Sequence, residues 1–423
     1  MTKEFEALMR LVGAAALGKP VAALPTDLDW QKIEQLAGEQ SVQTLVGYAL
    51  RLSPEAGCPQ EIRTRLIADM RQAAFSNNAW KSAVLGLLAE MNAAGIPALL
   101  IKGYAVADCY AAPDCRLSGD TDLLIDPKNE KRACKFMKAK GFKVDPRWEN
   151  GHHAVCHHPQ YGCVELHVML YDEIVEDVWF SKMDGNEFVS EPYIDVHTAD
   201  GAYRTLGYTD HMIFLMLHLI KHFIEAGMSL KMMLDTALFF AKYAEQIDSK
   251  RFWRTMADLK YGTVAQSILW ATVRYCGVPA EMIPGLVGVC PEQVDMLVTD
   301  LEEGGWLGRK DQHAREEGWH EYNRQLLMEN KSKAQYWLYM LRWKLGMYWK
   351  ALFPTFDALA AKYPYIRKCP LLTPWAWLHR LIFRGSKAVK NGALTSYMVI
   401  DEEKVSAVGK ERVRMFRSLD MLD

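Results

Sequence analysis

Two aspartates, two residues apart at the head of a run that otherwise belongs in an interior, constrain this chain more than any other feature. The segment RLSGDTDLLID covers Arg116–Asp126 and places Asp120 and Asp122 just ahead of Leu123, Leu124 and Ile125. On an extended strand, residues i and i+2 share a face, so the two carboxylates sit side by side. Neighbouring like charges repel, which a frayed strand end in solvent relieves and a bound cation removes. The adjoining apolar residues favour a buried strand and hence the cation. Asp126 precedes Pro127 and reads differently, as the cap of the next helix.

The rhythm on either side limits the fold. Residues 2 to 95 follow helical spacing: DLDWQKIEQLAGEQ opens on a capping aspartate, Asp27 or Asp29, and the run from Pro59 stops at Gly95. Then come short pieces. IPALLIKG predicts a buried strand, YAVADCYAA a short helix, DTDLLID a second strand, and PKNEKRACKFMKAKG a helix from Pro127 to Gly141. GFKVD, HAVCHH and CVELHVML predict further strands, the last two joined by a turn at PQYG, and 189 to 208 predicts a hairpin linker. From about residue 208 helical spacing returns. The expected fold class is α+β: a small α/β core with a mixed sheet, flanked by helical regions at both ends. The expected division is 1–95 helical, 96–208 the α/β core, 209–310 helical, and 311–423 a basic, aromatic-rich helical region.

Composition sets the outer limits. The 423 residues suffice for two or three domains, and 50 basic against 52 acidic residues give no sign of a nucleic-acid partner. The nine cysteines are odd in number and irregularly spaced, with no CxxC, which suits a reducing cytosol. Glu4, Glu6 and Arg10 argue against a signal peptide, and no stretch reaches the roughly 18 apolar residues of a membrane span. Residues 321–390 depart from the average, with 13 Lys/Arg against 3 Asp/Glu, a net of +10, and 14 aromatics. Wet faces of helices explain such a stretch first; an anionic lipid surface, lipid-linked phosphate or nucleic acid explains it second. The expected location is therefore cytoplasmic, with peripheral contact at the inner face of the membrane as a further expectation.

The polar residues of the α/β unit gather around the aspartate pair. Lys102 and Gly103 end the first strand, Arg116 approaches the second, and Glu165 lies within CVELHVML. If that strand pairs beside DTDLLI, Asp120, Asp122 and Glu165 converge at one sheet edge. Such a carboxylate set suits Mg²⁺, which prefers oxygen and keeps places for water and phosphates. Two such ions would clamp an in-line displacement at phosphorus, and Lys102, Gly103 and Arg116 would receive the phosphates. His167 shares a face with Glu165 and reads evenly as a partner of the ligands or a packed histidine. HHAVCHH, His152 to His158, with Cys163 nearby, invites a zinc reading, but its spacing matches no standard structural site and strand alternation should scatter the ligands.

KGYAVADCYAAPDCRLSGDTDLLID followed by VELHVML resembles the uncharacterised nucleotidyltransferase family of bacteria, within the DNA polymerase β-like nucleotidyltransferase superfamily. The resemblance covers roughly residues 90 to 245. It matches Gly103 to the turn glycine, Asp120 and Asp122 to the metal-binding pair, and Glu165 to the third carboxylate. In LHLIKHFIEAGMSLKMMLDTALFF it matches His218, Lys221, His222, Lys231 and Asp235 to polar positions beside the nucleotide. It implies two Mg²⁺ ions, an NTP substrate, and transfer of a nucleoside monophosphate to an acceptor hydroxyl with release of pyrophosphate. The acceptor class stays open among sugar, protein, small molecule and nucleic acid, because a fold does not fix a substrate. Many members carry Gly-Ser or Gly-Gly at the turn where Tyr104 follows Gly103 here. Phosphate binding then rests on Lys102, Arg116 or Ser118, and the alternatives are a catalytically inactive nucleotide-binding protein or a membrane-surface accessory protein on the same fold.

Overall fold

A computed structural model describes residues 1–145, 153–170, 189–198, 200–311, 363, 365–377, 379 and 402–422. His152 and most of the basic 321–390 segment lie outside the described residues. Four helices open the chain: α1 (Lys3–Leu17), α2 (Trp30–Glu39), α3 (Gln43–Leu52) and the long α4 (Gln60–Ala93). Asp29, of the two candidates, caps α2, accepting from the Gln31 and Lys32 amides. Along α4, Ile62, Leu66, Met70, Asn77, Lys81, Val84, Leu88 and Met91 are buried at spacings of three, four and seven, the single stripe of an amphipathic helix.

The sheet follows. Its strands are β1 (Ala98–Leu100), β2 (Asp120–Ile125), β3 (Lys143–Asp145), β4 (His153–His158), β5 (Gly162–His167), β6 (Ile194–Thr198) and β7 (Gly201–Thr205). Helices α5 (Tyr104–Ala107) and α6 (Glu130–Ala139) interrupt them. The order is β3-β4-β5-β2-β1-β7-β6. β2 runs antiparallel to β1 and parallel to β5, so the sheet is mixed, and β6–β7 is the hairpin read between 189 and 208. Asp126 caps the turn into α6 by accepting from the Lys128 amide, the role read for it.

The last helices are α7 (Tyr208–Glu225), α8 (Leu230–Lys242), α9 (Ser249–Asp258), α10 (Gly262–Cys276), α11 (Pro291–Gly304) and α12 (Glu402–Ser418). The fold is thus α+β with helical flanks. Strand alternation splits the interior into two layers. Leu100, Leu123, Ile125, Val164 and Leu166 face α6 and the second half of α4. Leu99 and Leu124 face the other way, into an apolar cluster shared by α1, α2, α3, α7, α8 and α10. Residues from both ends of the chain therefore cover one face of the sheet. None of the helices among the described residues is long and apolar enough to cross a membrane.

Candidate active site

The residues opposite that α6 face carry the polar chemistry. Asp120, Asp122 and Leu124 alternate with Thr121, Leu123 and Ile125 and so look toward α7 and α8. The parallel register sets Asp122 beside Glu165 and Leu124 beside His167. Asp120, Asp122 and Glu165 each offer a carboxylate oxygen within 4.8 Å of the others. The convergence expected if the two strands paired is present.

Lys102 and His167 hold the centre of this cluster. Asp122 is 1 % exposed, and its Oδ1 accepts from Lys102 Nζ at 2.7 Å and lies 3.0 Å from His167 Nε2. His167 Nε2 is also 3.3 Å from Glu165 Oε2. Burial works against the charge on Asp122, but Lys102 and His167 outweigh it and hold the carboxyl well below its ordinary range. Burial likewise opposes the Lys102 ammonium, and Asp122, Asp120 and Glu165 more than restore it. His167 follows the same pattern: burial lowers it, the two carboxylates raise it, and the net direction is up. Asp120 differs. Burial and the neighbouring Asp122 both raise its pKa.

Of the other predicted residues, two histidines of α7 reach this centre. His218 on α7 places Nε2 3.3 Å from Lys102 Nζ, and His222 Nε2 lies 3.2 Å from His218 Nε2. Burial, Lys102 and Lys221 push His222 down to about 3, and burial with Lys102 depresses His218 as well, so both imidazoles are neutral. Lys221 lies 3.8 Å from Glu225. Arg116 and Asp235 pair with each other. They are buried together, Arg116 Nη2 bonding Asp235 Oδ2 at 2.5 Å and Nε bonding Oδ1 at 3.1 Å, with the Tyr110 hydroxyl donating to Oδ1 at 2.7 Å. Ser118 Oγ accepts from Arg116 Nη1 at 3.3 Å and donates to the Asp120 carbonyl at 2.9 Å, tying this pair to the strand entrance. Lys231 Nζ donates to the Leu117 carbonyl at 2.9 Å, and burial, then Arg116, bring its pKa down to about 8.

The turn after β1 is built for close packing. Gly103 has φ 64°, and a Cβ there would fall 2.6 Å from Ser118 Oγ, so both conformation and space require glycine. Tyr104, the next residue, turns into the opposite layer. Its ring is buried in the layer facing α6, and its hydroxyl donates to Asn77 Oδ1 on α4 at 3.2 Å. Asn77 in turn donates to the Asp114 and Arg116 carbonyls.

His153, set aside in the sequence with the other histidines of HHAVCHH, reaches this site. His153 pairs directly with His167 across β4 and β5, and its Nε2 lies 3.8 Å from Glu165 Oε2. Alternation does scatter the HAVCHH histidines, but it leaves His153 on the site face. Counting back from the PQYG turn supplies the missing register: His158 pairs Gly162, and five steps on His153 meets His167.

A family model described as uncharacterised nucleotidyltransferase matches residues 26–277, more than half of the chain. The protein belongs to this family. The match spans the whole sheet, the carboxylate cluster and the α7–α8 pair, and it supports a nucleotidyl transfer activity for this chain. No curated protein and no solved structure matches the chain.

The carboxylates fit a hard divalent cation on their own chemistry. All three donors are oxygens, and Asp122 Oδ2 is buried with no hydrogen-bond partner among the described residues. A buried carboxylate oxygen without a partner is costly unless a ligand completes it.

Proposed function

We propose that this site moves a nucleoside monophosphate from an NTP to an acceptor hydroxyl and releases pyrophosphate. The observation that carries the reading is the approach of the Asp120, Asp122 and Glu165 oxygens to within 4.8 Å on one sheet face. These residues would hold two Mg²⁺ ions, which when bound supply Lewis-acid stabilisation of the charge on the transferring phosphoryl group.

The chain's own groups divide the remaining work. Lys102 sits partly exposed at the centre and is the ammonium best placed to meet triphosphate charge. Lys231, with its lowered pKa, adds a second positive group on the α8 side. Gly103 keeps the turn low against Ser118, so a phosphate can approach the backbone. His218 is neutral beside Lys102 and can accept a hydrogen bond from its ammonium, which aims Nζ. Arg116, Ser118 and Asp235 act in this reading by fixing the strand entrance that presents Asp120. Glu165, less buried than Asp122, faces the acceptor side, where a carboxylate helps remove the proton from the attacking hydroxyl. The acceptor is a sugar, protein, small-molecule or nucleic-acid hydroxyl.

Thermal unfolding with each NTP, with and without Mg²⁺, tests the reading. A Mg²⁺-dependent shift with one NTP, lost in Asp120→Asn/Asp122→Asn, supports it and names the donor. That NTP, labelled at the α-phosphate, then reports transfer to candidate acceptors. Label transfer that survives the double substitution overturns the carboxylate mechanism.

Peripheral contact with anionic lipid or lipid-linked phosphate is part of the same proposal. Leu371 is 90 % and Trp375 60 % exposed, within the segment whose net charge is +10. Co-sedimentation of the full chain with anionic vesicles at low salt is the expected result, and its absence would remove this part.

A further inference from the structure

We propose that His153, Glu165 and His167 form a second cation position, sharing Glu165 with the carboxylate set, that takes a borderline transition-metal ion of the Zn²⁺ class in preference to Mg²⁺. These three residues also bring one ligand atom each to within 4.8 Å of one another. They come from two adjacent strands, and antiparallel pairing seats His153 directly opposite His167 with ring centroids 5.0 Å apart. Zinc binds imidazole nitrogen and carboxylate oxygen at about 2.0–2.2 Å, so two donors on one tetrahedral ion stand about 3.4 Å apart. Glu165 Oε2 is 3.3 Å from His167 Nε2 and 3.8 Å from His153 Nε2, close to that spacing without rearrangement of the strands.

Charge argues the same way. Asp120, Asp122 and Glu165 bring three negative charges to this face, and Lys102 returns one. The face therefore carries net negative charge, which favours a bound cation. Ligand type then selects the ion. Imidazole nitrogen suits Zn²⁺ and its neighbours, whereas Mg²⁺ is strongly hydrated and favours oxygen. Two imidazoles with one carboxylate leave a fourth place open, the arrangement of catalytic rather than closed structural zinc.

The test uses the full chain, stripped of metal and titrated with Zn²⁺, then Co²⁺, in millimolar Mg²⁺ and without nucleotide. Bound metal is counted after equilibrium dialysis, and visible absorption of Co²⁺ reports nitrogen and oxygen ligation. The expected result is one Zn²⁺ per chain retained against Mg²⁺, with affinity at least 10-fold weaker in His153→Ala and in His153→Gln. Both variants lie at a half-buried position, and circular dichroism verifies their fold. Asp120→Asn should keep this Zn²⁺ while losing the Mg²⁺-dependent NTP shift. Equal Zn²⁺ retention in wild type and both His153 variants, displacement of Zn²⁺ by Mg²⁺, or loss of Zn²⁺ from Asp120→Asn as complete as from His153→Ala would each overturn the proposal. Because no nucleotide is present, failure here and failure of nucleotidyl transfer are read separately.

Discussion

Replacing Asp120 with Asn should stabilise the metal-free protein and at the same time end its response to Mg²⁺ and NTP. The carboxylate oxygens of Asp120, Asp122 and Glu165 lie within 4.8 Å of one another, and at an effective dielectric of about 20 each such pair repels by roughly 3.5 kcal/mol. Lys102 and Lys231 return much of this, yet burial and Asp122 still leave the Asp120 pKa raised. An acid whose pKa is higher folded than unfolded contributes stability fully below its unfolded value, and that contribution is lost as pH rises through the folded value. At pH 7 the folded state therefore carries the repulsion. Asparagine has nearly the same shape and no charge. Its expected gain is about 1 kcal/mol, seen as a rise in Tm on the order of 1–2 °C for a chain of this size. Wild type with ligand at about a hundred times Kd gains roughly 2.7 kcal/mol, and the variant should gain none of it. Thermal unfolding of both proteins, alone and with Mg²⁺ and NTP, gives the four values needed. A metal-free variant less stable than wild type by 1 kcal/mol, or one that keeps the Mg²⁺-dependent shift, would refute the reasoning.

Asp235→Ala strands the buried Arg116 guanidinium and should cost about 3–5 kcal/mol, measured by urea unfolding; a loss below 1 kcal/mol would mean the pair is not buried as described. Tyr104→Phe removes one neutral hydrogen bond to Asn77 and should cost about 1 kcal/mol while leaving NTP affinity unchanged, so a large rise in Kd would place Tyr104 at the nucleotide after all. His211 is fully buried, and burial lowers its pKa to about 4 despite its bond to the Ile101 carbonyl. Its contribution is present above the unfolded value near 6.5 and is lost as pH falls through about 4, on the order of 3 kcal/mol in all. His211→Gln should flatten the acid limb of the stability–pH curve, and an unchanged slope would exclude His211 as its source.

Much of this arrangement is legible in the residues because the strands are short, apolar and sharply punctuated. DTDLLI announces both its burial and its two-residue periodicity, and Gly95, Pro127 and Gly141 mark the helix ends. Adjacency of Glu165 to Asp122 required only that β5 lie next to β2. What resisted was everything set by packing between distant segments. Arg116 and Asp235 are recognisable as polar residues near a site, but 119 positions separate them, and nothing local says that they neutralise each other. Tyr104 reads as a side chain beside Gly103, and only the placement of α4 turns it toward Asn77. His153 is the intermediate case. Hairpin register around PQYG contains the answer, but a search for metal spacing along the chain does not compute pairing across it.

The helical flanks bear directly on the carboxylates. The segment between α5 and β2 carries only one short 3-10 turn, Pro113–Cys115, and its path decides where Asp120 points. Asn77 of α4 holds the Asp114 and Arg116 carbonyls, Asp235 of α8 holds the Arg116 guanidinium, and Thr44 of α3 donates to the Cys115 carbonyl at 2.7 Å. Ser118 then passes this constraint to the Asp120 carbonyl and fills the space against Gly103. Anchors from helices on both sides of the sheet in sequence thus converge on one loop. The same helices cover Leu99 and Leu124, whose exposure would cost about 25 cal/mol for each Å² of apolar surface. Clustered carboxylates repel and would drift apart on a loose edge. Here the repulsion is borne by a strand entrance pinned from three helices, with Lys102 and His167 holding Asp122 in place.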